Sequence, residues 1–207
     1  MYNKPIIVFE GIEASGKSSH IQFVAKYLKS KKLNFIKIRE PGGNHNSEKI
    51  RKLILNDNSD FNKISDLYLY LASRSENIDK VIRKNYNKKI ILIDRFIDST
   101  VAYQHYGMGL NKRIIDINNK FILDKLKIRF TFLNIVNKKN LLIRLKKRSE
   151  LNRYDKFKTN FYTKAQNGFI KISKKCKNKY LIINSNLELN DNKLIVINKI
   201  KKLLNIK

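Results

Sequence analysis

Pro5-Ile6-Ile7-Val8-Phe9-Glu10-Gly11-Ile12-Glu13-Ala14-Ser15-Gly16-Lys17-Ser18 joins a short apolar run to a glycine-bounded loop that ends in lysine and serine. Residues 5–9 have the length and continuity of a parallel strand buried on both faces. Gly11–Ser18 matches the pattern G-x-x-x-x-G-K-[ST] without deviation. Glycines at both ends let the backbone wrap a phosphate with its N–H groups pointing inward. Lys17 can then reach the β- and γ-phosphates, and the Ser18 hydroxyl can ligate Mg²⁺. A helical pattern from about Lys17 to Ser30 completes the strand–loop–helix context that the motif requires. Gly11, Ile12, Glu13, Ala14, Ser15, Gly16, Lys17, Ser18 and Ser19 are therefore expected to hold a nucleoside triphosphate.

Outward from this unit, strands and helices alternate. Residues 33–38 read as a second strand ending in the loop Arg39-Glu40-Pro41-Gly42-Gly43, followed by helical stretches near 47–56 and 64–84. Lys89-Ile90-Ile91-Leu92-Ile93 is the clearest buried strand, stopped by Asp94-Arg95. Further strands are expected at 128–135 and 180–183, and helices at about 138–148 and after 157. The last helix is amphipathic, with Leu194, Ile197, Ile200 and Leu204 at three- and four-residue spacing and Asn190 or Asp191 as N-cap. This alternation predicts an α/β fold of the P-loop NTPase type. Its three layers enclose a central parallel sheet of five strands in a single domain over residues 1–207. Ligands in such folds sit at the carboxyl ends of the strands.

Composition narrows the setting. The chain has 207 residues, with no apolar run long enough to cross a bilayer and no small-residue cleavage site after the first apolar stretch. One cysteine, Cys176, forbids an internal disulfide and points to a reducing, cytoplasmic compartment. The net charge of +28 fits a nucleic-acid binder in principle, since clustered cations release counterions from phosphates. Here the lysines are dispersed among many asparagines and isoleucines. All three residue types are read from A/T-rich codons, so genome composition accounts for the charge and no nucleic-acid partner is required.

Asp94 ends the most apolar strand, where a carboxylate can help to organise Mg²⁺, directly or through water. Beyond it, Leu92-Ile93-Asp94-Arg95-Phe96-Ile97-Asp98-Ser99-Thr100-Val101-Ala102-Tyr103-Gln104 sets a cation, hydroxyls, an aromatic ring and an amide just past the sheet. That equipment suits a polar, planar, phosphorylated small molecule. The stretch 92–104 resembles the signature of thymidylate kinases throughout. Gly11–Ser18, Arg39–Gly43 and Leu71-Ala72-Ser73-Arg74 fall in that family's order and spacing, and the resemblance runs from about residue 4 to 170.

The resemblance implies transfer of the γ-phosphate of ATP to dTMP, with Mg²⁺ as cofactor, in a homodimer, for which apolar helix faces around 64–84 could supply the interface. It also implies roles. Arg95 holds the acceptor phosphate, with Arg51 as a weaker candidate. Tyr70 stacks on the thymine ring, and Arg74, four residues on, donates to its 4-carbonyl oxygen. Glu13 lies near the sugar 3′-hydroxyl and the reacting centre, Tyr103 packs where a ribose 2′-hydroxyl would be, and Ser99, Thr100 and Gln104 line the same pocket. Pro41 shapes the loop over the acceptor. A phosphate monoester has a second pKa of ~6, so its attacking oxygen is already largely ionised at neutral pH. Alignment and charge neutralisation then suffice.

The loop carries no arginine and Arg144–Arg153 is rich in cations, which resembles the bacterial, lid-arginine type of the family. That resemblance implies countercharge for the transferring group from a lid at about 148–157, with Arg148 and Arg153 as its cations. Lys17, Glu13, Arg95, Arg148 and Arg153 form the expected catalytic set, and Ser18 and Asp94 the metal set. Two positions depart from the family's pattern: Asn134 stands for a strand-end aspartate, and Asn152 for an acidic lid residue. His20, His45 and His105 lack metal-ligand spacing and read as incidental. The rivals are a broader (deoxy)nucleoside monophosphate kinase and a nucleic-acid-binding P-loop ATPase. The second should show a concentrated basic stripe with stacking aromatics.

Overall fold

The computed structural model describes residues 4–148 and 152–206. Five strands form one parallel sheet: β1 (Ile6–Glu10), β2 (Phe35–Arg39), β3 (Ile90–Asp94), β4 (Ile128–Ile135) and β5 (Tyr180–Asn184). Their spatial order is β2-β3-β1-β4-β5, which seats the phosphate-loop strand at the centre. In register, Phe9 lies beside Asp94 on one flank and Phe132 on the other, so the ends of β1, β3 and β4 meet at one edge.

Strand alternation sorts the core. Ile7, Phe9, Ile90, Leu92, Phe130 and Phe132 face one layer, where they pack on α1 (Lys17–Ser30) and α9 (Leu189–Leu204). Ile6, Val8, Ile91 and Ile93 face the other, against Ile78, Ile82 and Phe96. Both faces of the two central strands, β1 and β3, are covered, which is why each is apolar up to its final carboxylate, whereas β4 also carries Arg129, Thr131 and Asn134. The remaining helices are α2 (His45–Leu55), α3 (Lys63–Asn77), α4 (Arg83–Asn85), α5 (Ile97–Thr100), α6 (Lys112–Leu123), α7 (Lys138–Lys146) and α8 (Thr159–Lys175). Side chains of Asn44, Asn62, Asn111 and Asn137 cap α2, α3, α6 and α7, so the abundant asparagines satisfy helix N–H groups.

Three expectations change. The helix expected over 64–84 is interrupted by a π-helical stretch, Ile78–Ile82, before α4 closes it. A second π-helical stretch, Val101–Gly107, extends α5, and α6 beyond it was not anticipated. The final helix starts at Leu189 with Glu188 at the N-cap position, not Asn190 or Asp191. Its buried face is the four-residue ladder Asn192, Val196, Ile200, Leu204. Leu194 lies off that ladder and is 63% exposed. Packing on α1 and the sheet selects one of two overlapping apolar stripes, and spacing alone does not choose between them.

Candidate active site

The loop after β1 reaches the carboxyl edge of the sheet through Gly11 at φ +140°, where an added Cβ would lie 2.3 Å from the Asn134 backbone oxygen. Only glycine fits so close an approach. Lys17 folds back over the loop, its Nζ donating to Gly11 O at 2.9 Å and Ile12 O at 2.7 Å. Burial lowers its pKa to about 7, helped by the Arg95 charge and opposed by Asp94 and Glu13. Ser18 Oγ donates to Asp94 Oδ2 at 3.2 Å, while Asp94 Oδ1 is buried with no partner. A hard cation needs oxygen ligands, and this hydroxyl–carboxylate pair fits one whose other ligands are phosphate oxygens and water. No cluster of three acidic, His or Cys side chains able to cage a metal exists among the described residues.

Two cavities flank this loop. The first, about 230 Å³, is lined by Glu13, Lys17, Ser18, Pro41, Arg51, Tyr70, Asp94, Arg95, Ser99, Thr100, Tyr103, Gln104 and Arg148. Arg95 holds the left-handed backbone conformation at φ 64° directly after β3. Its guanidinium donates to Gly11 O at 2.9 Å, to Glu13 Oε1 at 2.9 Å and to Tyr103 OH at 3.3 Å. Tyr103 OH in turn donates to Glu13 Oε2. Burial works against the Arg95 charge, but Tyr103, Glu13 and Asp94 outweigh it and raise its pKa well above normal. Arg51 donates to Pro41 O at 2.7 Å, which ties α2 to the loop after β2.

The second cavity, about 590 Å³, is lined by Ala14, Ser15, Gly16, Ser19 and Arg144 together with the β5–α9 turn. Lys17, Ser18 and Arg148 line both cavities. Arg144 donates to Ala14 O at 3.1 Å and to Ser185 O at 2.6 Å, so it clamps the loop to that turn. Ile12, by contrast, belongs to the core rather than to either cavity.

Two expected side chains point elsewhere. Arg74 is 2% exposed and does not line the first cavity. Its Nε donates to Glu40 at 2.7 Å, Nη1 to Thr100 Oγ1 at 2.8 Å and to Asn119 at 2.9 Å, and Nη2 to Phe96 O at 2.9 Å. Four of its five donors are committed inside the protein, which a direct contact with the base would have to break. Arg153 is bound to Asp66, lies over the rings of Phe61 and Tyr154, and anchors the segment to α3. Arg148 pairs with Asp155 at the mouth between the two cavities. Within the expected lid, 149–151 lie outside the described residues. Asn152 caps the short 3₁₀ turn Arg153–Lys156 in a reciprocal box with Asp155.

His20 is a correction: it is not incidental. It is buried, and its Nδ1 pairs with Asn134 Oδ1 while Asn134 Nδ2 donates to Glu10 O at 3.3 Å. Burial lowers its pKa, so a neutral imidazole meets a neutral amide at the position where the family's pattern has an aspartate. Glu10 was also missed. It accepts from Phe96 N at 2.8 Å and from Ser99 Oγ at 2.6 Å, and burial with the nearby Asp98 raises its pKa to about 7. The only sequence signal for it was a carboxylate ending an apolar strand, the same signal that singled out Asp94. Arg144 stood within the cation-rich stretch before the lid, but nothing local separated it from its neighbours.

A phosphate-cradling loop at the edge of a parallel sheet, shared by two polar cavities, defines a P-loop phosphotransferase. The family model described as thymidylate kinase matches residues 9–194. A thymidylate kinase from Sulfurihydrogenibium sp. is 35% identical over 95% of this chain and 96% of its own length. One from Thermosipho africanus is 37% identical over 85% and 88%. The crystal structure of thymidylate kinase from Ehrlichia chaffeensis superposes with a TM-score of 0.77 at 31% identity, over 95% of this chain and 98% of that one. The chain belongs to the thymidylate kinase family.

Proposed function

We infer that this chain transfers the γ-phosphate of ATP to dTMP, giving dTDP and ADP. The observation that carries the reading is the loop between two cavities, with Lys17, Ser18 and Arg148 facing both. ATP occupies the larger cavity with its phosphates in the Gly11–Ser18 loop. dTMP occupies the smaller one, with its base beside Tyr70 and its phosphate toward Arg95, supported by Arg51. Glu13 and Tyr103, already joined through a hydroxyl, fill the space beside the sugar.

Because the attacking phosphate oxygen is ionised at neutral pH, no side chain needs to remove a proton. Lys17 returns its donors from Gly11 O and Ile12 O to the anionic phosphates, whose charge restores its proton. Arg95 holds the acceptor in line, and Arg148 supplies positive charge where it builds up on the transferring group. Mg²⁺, held through Ser18 and Asp94, would neutralise the β- and γ-oxygens. Arg153 acts from behind, keeping the lid on α3.

The molecule works as a homodimer. Ile64 and Tyr68 on α3 and Ile114, Ile117 and Phe121 on α6 are exposed large apolar residues, Phe121 at 83%. Helices α3 and α6 pack together, so a second copy would cover one continuous face. No described helix is long and apolar enough to cross a membrane.

The test is ADP release with ATP·Mg²⁺ and dTMP, dUMP, dCMP, dGMP or UMP, with single-stranded DNA as a separate arm. Strong turnover with dTMP, weaker with dUMP and negligible with dCMP is expected. Turnover that requires DNA and forms no nucleoside diphosphate would overturn the reading.

A further inference from the structure

All five strands run parallel, so every strand starts on one edge of the sheet, opposite the edge that carries the phosphate loop. Five segments meet on this edge: 29–34 before β2, 83–89 before β3, 124–129 leading into β4, 174–179 before β5, and 199–206 at the end of α9. Their contacts join them. Ile90 N donates to Asn34 O at 3.0 Å, Lys127 N donates to Tyr86 OH at 3.3 Å, and Lys199 Nζ lies 4.5 Å from the centre of the Phe130 ring. The turn Lys177–Lys179 packs against β4.

Together these segments hold seventeen lysines and arginines and one acid, Asp124. The whole chain has 45 to 17, so a bias toward lysine codons explains the many cations but not the loss of acids from one edge. Arg83 with Asp124, at 3.3 Å, is the only ion pair in these segments among the described residues. Cations in the last turns of α1, α8 and α9 offset the partial negative charge of those helix ends. Lys32, Lys88, Lys127 and Lys179 lie past the helix ends, all exposed. Lysines dispersed along the chain are thus gathered in space.

The chemistry of the face narrows its partner. None of the large apolar side chains exposed on the described surface falls in these segments, so nothing there inserts into a lipid layer. Their one aromatic residue, Tyr86, is half-buried with its OH engaged by Lys127, so no ring is offered to an unpaired base. Fifteen of the seventeen cations are lysines, point charges that contact phosphate without reading base edges. A double helix presents one negative charge per ~1.7 Å of its axis. Five strands at ~4.8 Å spacing, with a helix layer on each face, offer it a footprint of roughly 20 by 30 Å.

We propose that this edge is a second, sequence-independent binding face for the sugar–phosphate backbone of a nucleic-acid double helix. Strands of five residues span about 16 Å, so a duplex seated here leaves the cavities at the far edge open. The face needs nothing from the dTMP reading.

The probe is a labelled duplex about two helical turns long, as DNA and as RNA, followed by fluorescence anisotropy between about 50 and 200 mM salt. Wild type should bind both, with log K falling linearly in log salt at a slope of about −4 to −6. K88E/K127E/K179E should weaken binding at least ~10-fold and flatten the slope by about 3, with melting temperature and turnover on dTMP unchanged. K138E/K139E/K164E has the same net charge and should bind like wild type. Equal weakening by the two triple variants would overturn the proposal, since net charge alone would then attract the duplex. Tighter binding of a single strand of the same length, or of phosphatidylserine vesicles, would also overturn it. Binding to either duplex supports the face, and a preference between them names its source. A wild type inactive on dTMP would sink the substrate reading alone and leave the anisotropy result standing.

Discussion

At the residue scale, the site is governed by which charges are left without solvent. Lys17 has a pKa lowered to about 7 because burial disfavours its cation. Phosphates bind the protonated form, so binding raises the pKa, and affinity is full below the free-enzyme value and lost as pH rises through it. KM for ATP should therefore increase above pH ~7, approaching tenfold per pH unit before the bound-state pKa is reached. K17R carries a cation that does not titrate, and its profile should be flat across the same range. Steady-state KM between pH 6 and 9 checks both. R95A leaves Glu13 and Tyr103 without their cation and, in the proposed role of Arg95, removes the clamp on the acceptor phosphate. Its kcat/KM for dTMP should fall by about 10²–10³, with ATP binding little changed by isothermal titration.

Local spacing made part of this site readable in the sequence. Gly11–Ser18, Asp94–Arg95 and Ser99–Gln104 are each contiguous in the chain, and each stretch contributes lining residues to the first cavity. Pairings between distant residues were not readable. His20 finds Asn134 across 114 positions, Asp66 finds Arg153 across 87, and Arg144 finds Ala14 across 130. For Arg74 spacing was a partial guide: the face on α3 was right, but the buried Glu40 captures the guanidinium.

At the element scale, the lid's two arginines should separate. Arg148 faces both cavities and its partner Asp155 is replaceable by phosphate, whereas Arg153 is held at Asp66. R148A should cut kcat by about 10² and, because Asp155 keeps its bonds to Asn152, lower the melting temperature less than R153A does. R153A should lower the melting temperature, since it leaves the buried Asp66 carboxylate without its cation. Thermal melts beside turnover numbers distinguish the two. Helix α9 gives a cleaner contrast in stability. V196A, on the buried ladder, should cost about 1–3 kcal/mol, and L194A under 0.5 kcal/mol, by urea unfolding. Amphipathic spacing announced this helix, but only its packing on α1 shows which stripe is inside.

At the scale of the whole molecule, the sheet order places the phosphate loop centrally, with the first cavity reaching the loops after β2 and β3 and the second the turn after β5. The strands β1 and β3 were the most legible because they are apolar on both faces. Helix α6 was not, because its start follows a π-helical stretch and a turn that carries no apolar period. Its exposed face bears on assembly: F121D should yield monomers by sedimentation at concentrations where the wild type is a dimer. The net charge of +28 adds a salt-sensitive attraction for anionic nucleotides.

The most direct measurement is the fate of the γ-phosphorus of labelled ATP on incubation with Mg²⁺ and dTMP. The account predicts that the label moves into dTDP, with inorganic phosphate a minor product because the attacking group is the acceptor held by Arg95. Label recovered only as inorganic phosphate, at a rate indifferent to dTMP, would contradict it.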